Sequence, residues 1–115
     1  MLRHLLKSKL HRAFITDANV EYEGSITIPE DLMGLTNLWE GEKVLVTSIT
    51  SGARLETYVQ KGVAGSGKII VNGGAAHLIK QGERVSIMAF ASSDIPIEPR
   101  RILCNDQNEV ISTYR

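Results

Sequence analysis

Lys43-Val-Leu-Val-Thr-Ser-Ile-Thr50 and Ala53-Arg-Leu-Glu-Thr-Tyr-Val59 stand on either side of Ser51-Gly52. Both runs are rich in β-branched residues, as half-buried strands are. A Ser-Gly pair between two such runs predicts a tight hairpin. Working outward, Lys68-Ile-Ile-Val71, Arg84-Val-Ser-Ile-Met-Ala-Phe90, Ile102-Leu103 and Glu109-Val-Ile-Ser112 read as further short strands. Asp106-Gln107-Asn108 supplies the turn between the last two. Two short helices are expected. One begins near Pro29, whose fixed φ suits a first turn, with Glu30 and Asp31 complementing the dipole, and ends before Gly41. The other covers about Ala75 to Lys80 and stops at Gly82. Many short strands with few helices predict a mainly β fold, a small closed barrel without free sheet edges. No repeat or linker interrupts the chain, so residues 1–115 read as a single domain. Ser92 to Pro99 holds two of the three prolines and is read as leading to a C-terminal hairpin outside the barrel.

The 115 residues are 43% hydrophobic and 23% charged, which permits a packed core and argues against disorder. So short a chain encloses a catalytic site only if the site is compact or completed by another copy. Thirteen Lys and Arg balance thirteen Asp and Glu, which argues against a general phosphate-binding surface but not against a local basic patch. Cys104 is the sole cysteine, so neither an intramolecular disulfide nor a multi-cysteine zinc site can form. No apolar run approaches the roughly 20 residues that span a bilayer. Leu5-Leu6 is interrupted by Lys7-Ser-Lys9, unlike a signal peptide. The expectation is a cytoplasmic protein.

Gly62-Val-Ala-Gly-Ser-Gly-Lys68 has the spacing of a phosphate-binding loop, but Ile69 replaces the Ser or Thr that would hold magnesium, and a strand follows instead of a helix. A turn between strands is the better reading. Arg3, His4, Lys7, Lys9, His11 and Arg12 form a basic run that can bind nucleic acid, an acidic membrane or an anionic substrate. No aromatic residue interleaves it for base stacking, and a solvated strand face is its ordinary explanation. His4, His11 and His77 lack the i, i+4 spacing of a helical metal pair.

Glu23-Gly24-Ser25-Ile26 is uninformative by itself, because Gly-Ser is common in turns. Its company changes that. Lys9-Leu-His-Arg12, Tyr22-Glu-Gly-Ser25, Arg54, Thr57-Tyr58 and Val71-Asn-Gly-Gly-Ala-Ala-His77 occur together. As a set over residues 1–92 they resemble, in type, order and position, the aspartate 1-decarboxylases. These are small pyruvoyl enzymes that make β-alanine for pantothenate synthesis. The resemblance implies a double-psi β-barrel and a homotetramer with sites between subunits. Gly74 departs from the alanine more often expected there.

Decarboxylation leaves electrons on the α-carbon, so an electron sink is required. No lysine signature for pyridoxal phosphate stands out. The resemblance implies instead a covalent pyruvoyl cofactor built from Ser25, a ketone that captures the amine of L-aspartate. It arises when the Ser25 hydroxyl attacks the Gly24 carbonyl and the chain splits into residues 1–24 and 25–115. Gly24 tolerates unusual dihedrals and leaves its carbonyl open, and a strained peptide there would lower the barrier. Thr57 is the candidate donor to the Gly24 oxyanion. Arg54 suits a substrate carboxylate, and Lys9 can pair with one too. Tyr58 is the candidate proton donor. Asn72 can orient the bound amine, the N–H groups of Gly73, Gly74 and Ala75 can approach a ligand, and His11 and Tyr22 join in supporting parts. Adjacent strand residues face opposite ways, so Thr57 and Tyr58 together predict a bulge or a site straddling two subunits. Some members of this family also use a maturation protein. Two alternatives are a β-barrel module that binds DNA through its basic N-terminus and a related decarboxylase for another amino acid.

Overall fold

The computed structural model describes the backbone of residues 1–114 and side chains through residue 113. Strand β1 (Arg3–Phe14) is followed by β2 (Asp17–Asn19), β3 (Ser25–Pro29) and helix α1 (Glu30–Thr36). Then come β4 (Lys43–Ser48), β5 (Arg54–Gly62), β6 (Ile70–Asn72) and a 3₁₀ turn at Gly73–His77. Strands β7 (Arg84–Ser93), β8 (Arg100–Cys104) and β9 (Val110–Tyr114) complete the chain. They form one mixed sheet in the order β2-β6-β3-β5-β4-β7-β1-β8-β9. The mainly β expectation holds.

One face of the sheet carries the core. Leu10 and Ala13 of β1, Ile26 and Ile28 of β3, Val44 and Val46 of β4, Val59 of β5 and Val85 and Ile87 of β7 are wholly or almost wholly buried. Among the described residues no aromatic side chain is part of the buried core; Tyr22, Trp39, Tyr58 and Phe90 are all exposed. Branched aliphatic side chains suit the interior of a strongly curved small sheet, where they pack on the pleat without large rings. Hydrogen bonds from Thr16 N–H to the Ile69 carbonyl (2.9 Å) and from Ile69 N–H to Thr16 Oγ1 (3.1 Å) tie the chain after β1 to the chain before β6.

Local chemistry shifts several expected boundaries. Pro29 lies just before the helix with extended ψ, and α1 ends at Asn37 in a left-handed conformation rather than running toward Gly41. The hairpin between β4 and β5 is not a two-residue turn. Ser48 N–H bonds to the Ala53 carbonyl, and Gly52 (φ +81°) bends the intervening residues 49–52. The second expected helix is a 3₁₀ turn that starts earlier, at Gly73, and ends at His77, short of Gly82. Gly62–Lys68 connects strands, as read from Ile69.

The C-terminal hairpin does not lie outside the packed body. Strand β8 adds in parallel to β1, pairing Leu10 with Ile102, and buries Ile102 and Cys104. Among the described residues, no helix is long and apolar enough to cross a membrane.

Candidate active site

Strand β3 runs between β5, parallel to it, and β6, antiparallel. Ile26 and Ile28 face the core, so alternation turns Ser25 and Thr27 to the opposite face. Ser25 is nevertheless completely buried. Its hydroxyl donates to Gln60 Oε1 (2.9 Å) and accepts from Asn72 Nδ2 (2.9 Å). The same Asn72 amide reaches Thr27 Oγ1 (3.1 Å). A buried hydroxyl held by two amides has a fixed orientation and one lone pair to spare.

The backbone before Ser25 is held as closely. Gly73 has φ +70°, and a Cβ added there would lie 2.7 Å from Gly24 Cα and 2.8 Å from Gly24 N. The Asn72–Gly73 corner therefore presses on the Gly24–Ser25 segment from one side. Gly24 has neither a positive φ nor a neighbour within 4 Å of an added Cβ. Gly24 is thus not in a left-handed conformation, and the tight glycine is Gly73. Gly74 is exposed, Ala75 half-buried and Tyr22 half-exposed.

Strand β5 carries no bulge at Thr57–Tyr58, so within one chain the two side chains face opposite ways. It pairs with β4 in unbroken register from Arg54 to Tyr58. Its parallel register with β3 begins at Ile26 and Val59, so Tyr58 lies one step before the paired rows, on the side of Ser25. Tyr58, 43% exposed, shares the outward face of Ser25, whereas Thr57 faces inward like Val59. Gln60 and Thr27 were missed in the sequence. The strand was read as ending at Val59, and a continued alternation through Gln60 was the available signal.

Lys9, His11 and Arg54 form a second group. Register rows run from His11 through Ser86 and Thr47 to Arg54, and from Lys9 through Met88 and Leu45 to Glu56. His11 Nδ1 lies 3.2 Å from Ser86 Oγ. Burial, then the charges of Lys9 and Arg12, hold its pKa below the ordinary histidine value. Strands β7 and β4 separate β1 from β5, which puts Lys9 and His11 about 14 Å from β5 at normal strand spacing. Arg54 lies four residues from Tyr58, about 13 Å along β5. Within one chain, then, Ser25, Asn72, Gly73, Gly24 and Tyr58 gather, while Lys9, His11 and Arg54 do not reach Ser25.

The sequence model of the aspartate decarboxylase family matches residues 1–111. The chain is 47% identical over 111 residues to a Thermotoga sp. (strain RQ2) protein named aspartate 1-decarboxylase, covering 96% of this chain and 97% of that one. It is 46% identical to proteins of the same name from Pseudothermotoga lettingae, over 96% and 97% of the two chains, and Bacillus thuringiensis, over 96% and 91%.

Proposed function

The chain belongs to the aspartate decarboxylase family, and from that premise we propose that it converts L-aspartate to β-alanine and CO2 for pantothenate and coenzyme A synthesis. The cofactor in this reading is a pyruvoyl group derived from Ser25. The observation that carries it is the buried Ser25 hydroxyl clamped by Gln60 and Asn72 against the Gly24 segment. These residues suit the making of that group, because a nucleophile must be oriented and kept from water.

In self-cleavage the Ser25 oxygen bonds to the Gly24 carbonyl carbon, the Gly24–Ser25 C–N bond breaks, and the hydroxyl proton ends on the Ser25 nitrogen. Loss of the Ser25 Cα proton then expels the Gly24 carboxylate from Cβ. Water adds to the resulting dehydroalanine, ammonia leaves, and the ketone remains. Thr57 is the oxyanion donor of this scheme. Once formed, the pyruvoyl group supplies the electron sink for loss of CO2. Tyr58 holds the proton to be returned to the α-carbon. Asn72 orients the substrate, and the N–H groups of Gly73, Gly74 and Ala75 border it.

In this reading Lys9, His11 and Arg54 complete the site from a neighbouring subunit of a homotetramer, and their separation from Ser25 along the sheet of one chain supports it. A double-psi barrel and a cytoplasmic location complete the reading. The DNA-binding alternative finds less support, since Lys7 of the basic run is engaged by Glu42 at 3.1 Å.

Intact mass spectrometry with a carbonyl-reactive reagent is the test. Wild type should give fragments 1–24 and 25–115, the second reactive, whereas Ser25→Ala stays whole. Turnover should favour aspartate over glutamate. A wild type that remains one unreactive chain, even with a maturation protein supplied, ends the proposal.

A further inference from the structure

We propose that Gln60 is a positioning residue for self-cleavage, and that its amide serves the precursor and the processed chain in opposite senses. This rests on the pyruvoyl reading above. A serine hydroxyl has one hydrogen and two acceptor directions. Here the hydrogen points at Gln60 Oε1 and one acceptor direction is filled by Asn72 Nδ2, both at 2.9 Å. Only the remaining lone pair can meet the Gly24 carbonyl. Gln60 therefore decides which way the nucleophile faces, and Asn72 alone cannot, because a donor leaves the hydroxyl hydrogen free to rotate into the attacking position.

After the peptide splits, that oxygen belongs to the Gly24 carboxylate and carries no hydrogen. An acceptor facing it becomes repulsive in a buried place. Glutamine meets both states, because a half-turn of its terminal amide exchanges Oε1 for Nε2–H. Glutamate can serve only the first state while ionised, and methionine, of similar length, can serve neither.

The experiment follows freshly made precursor by intact mass from pH 5 to 9 for wild type, Gln60→Glu and Gln60→Met, with melting temperatures before and after cleavage. Gln60→Met should cleave about tenfold more slowly, the loss of one orienting hydrogen bond. Gln60→Glu should cleave at a rate near wild type across the range, because the carboxylate and the protonated acid both offer the hydroxyl an acceptor. Its processed form should respond to pH, melting below wild type at high pH and recovering as the protonated acid regains a donor. Gln60→Met cleaving as fast as wild type overturns the inference. So does a processed Gln60→Glu chain whose melting temperature lacks this pH dependence, which tests the point even if Gln60→Met does not fold. A wild type that never cleaves removes the underlying reading instead, so the two failures are distinguishable.

Discussion

A Cβ on Gly73 would meet the backbone of Gly24 at 2.7 and 2.8 Å and the Tyr22 carbonyl at 3.1 Å, and φ at Gly73 is +70°. Both facts act against any side chain. Gly73→Ala should destabilise the chain by about 1–3 kcal/mol and slow cleavage by displacing the Gly24–Ser25 segment. Gly74, with nothing within 4 Å of an added Cβ, gives the control. Gly74→Ala should change stability by less than about 0.5 kcal/mol and leave cleavage unaltered. Denaturant unfolding of the Ser25→Ala precursor and timed mass spectra of the Ser25 form check the two effects separately. The sequence made Asn72-Gly73-Gly74 a unit without distinguishing its glycines, because composition does not say which backbone a residue touches. Ser25 was picked out by the resemblance, yet its hydrogen-bond partner Gln60 was not, since it sits beyond the hydrophobic run that marked β5.

The β8–β9 hairpin is anchored by its turn. Asn108, buried and in a left-handed conformation (φ 57°), accepts from Phe14 N–H (2.7 Å) and donates to the carbonyls of Phe14 and Gly67 (2.8 Å each). One side chain thus satisfies backbone groups of β1 and of the loop before β6. Asn108→Ala removes all three bonds and strains the backbone, so it should cost about 2–4 kcal/mol of unfolding free energy, read from the denaturant midpoint. On β8 itself, burial pushes the Cys104 thiol up to about 11. The native protein at pH 8 should resist iodoacetamide, and denaturant should make Cys104 react at once. The turn at 106–108 was readable from its residue types. Its docking was not, because parallel pairing of β8 with β1 joins residues 92 positions apart, such as Leu10 and Ile102, and leaves no local period. Rows of hydrophobic residues marked β4, β5 and β7 for the opposite reason, as their alternation is written within each strand.

The parts of the site lie on one continuous outer face but in two places. Ser25, Asn72 and Tyr58 occupy β3, β6 and the middle of β5, whereas Lys9 and His11 stand two intervening strands beyond β5, and Arg54 at its far end. Tyr58 and, on β7, Phe90 remain 43% and 45% exposed, apolar area that another copy could cover. The sequence hinted at assembly only through its shortness and its resemblance, since no single-chain pattern records which residues meet across an interface. A site shared by two subunits has a consequence that a private site lacks. Ser25→Ala chains keep Arg54, and Arg54→Ala chains keep Ser25, so each homo-oligomer should be inactive on aspartate. Unfolded together and refolded at equal amounts, about a quarter of Ser25–Arg54 pairings should join an intact Ser25 to an intact Arg54 in a cyclic arrangement. Decarboxylase activity should therefore return to about a quarter of the wild-type value per site, provided cleavage of the Arg54→Ala chains is confirmed by mass. Mixed oligomers that contain both chains, verified by an affinity tag on one of them, yet show no turnover, would place Arg54 and Ser25 of the working site in the same subunit and dissolve the shared arrangement.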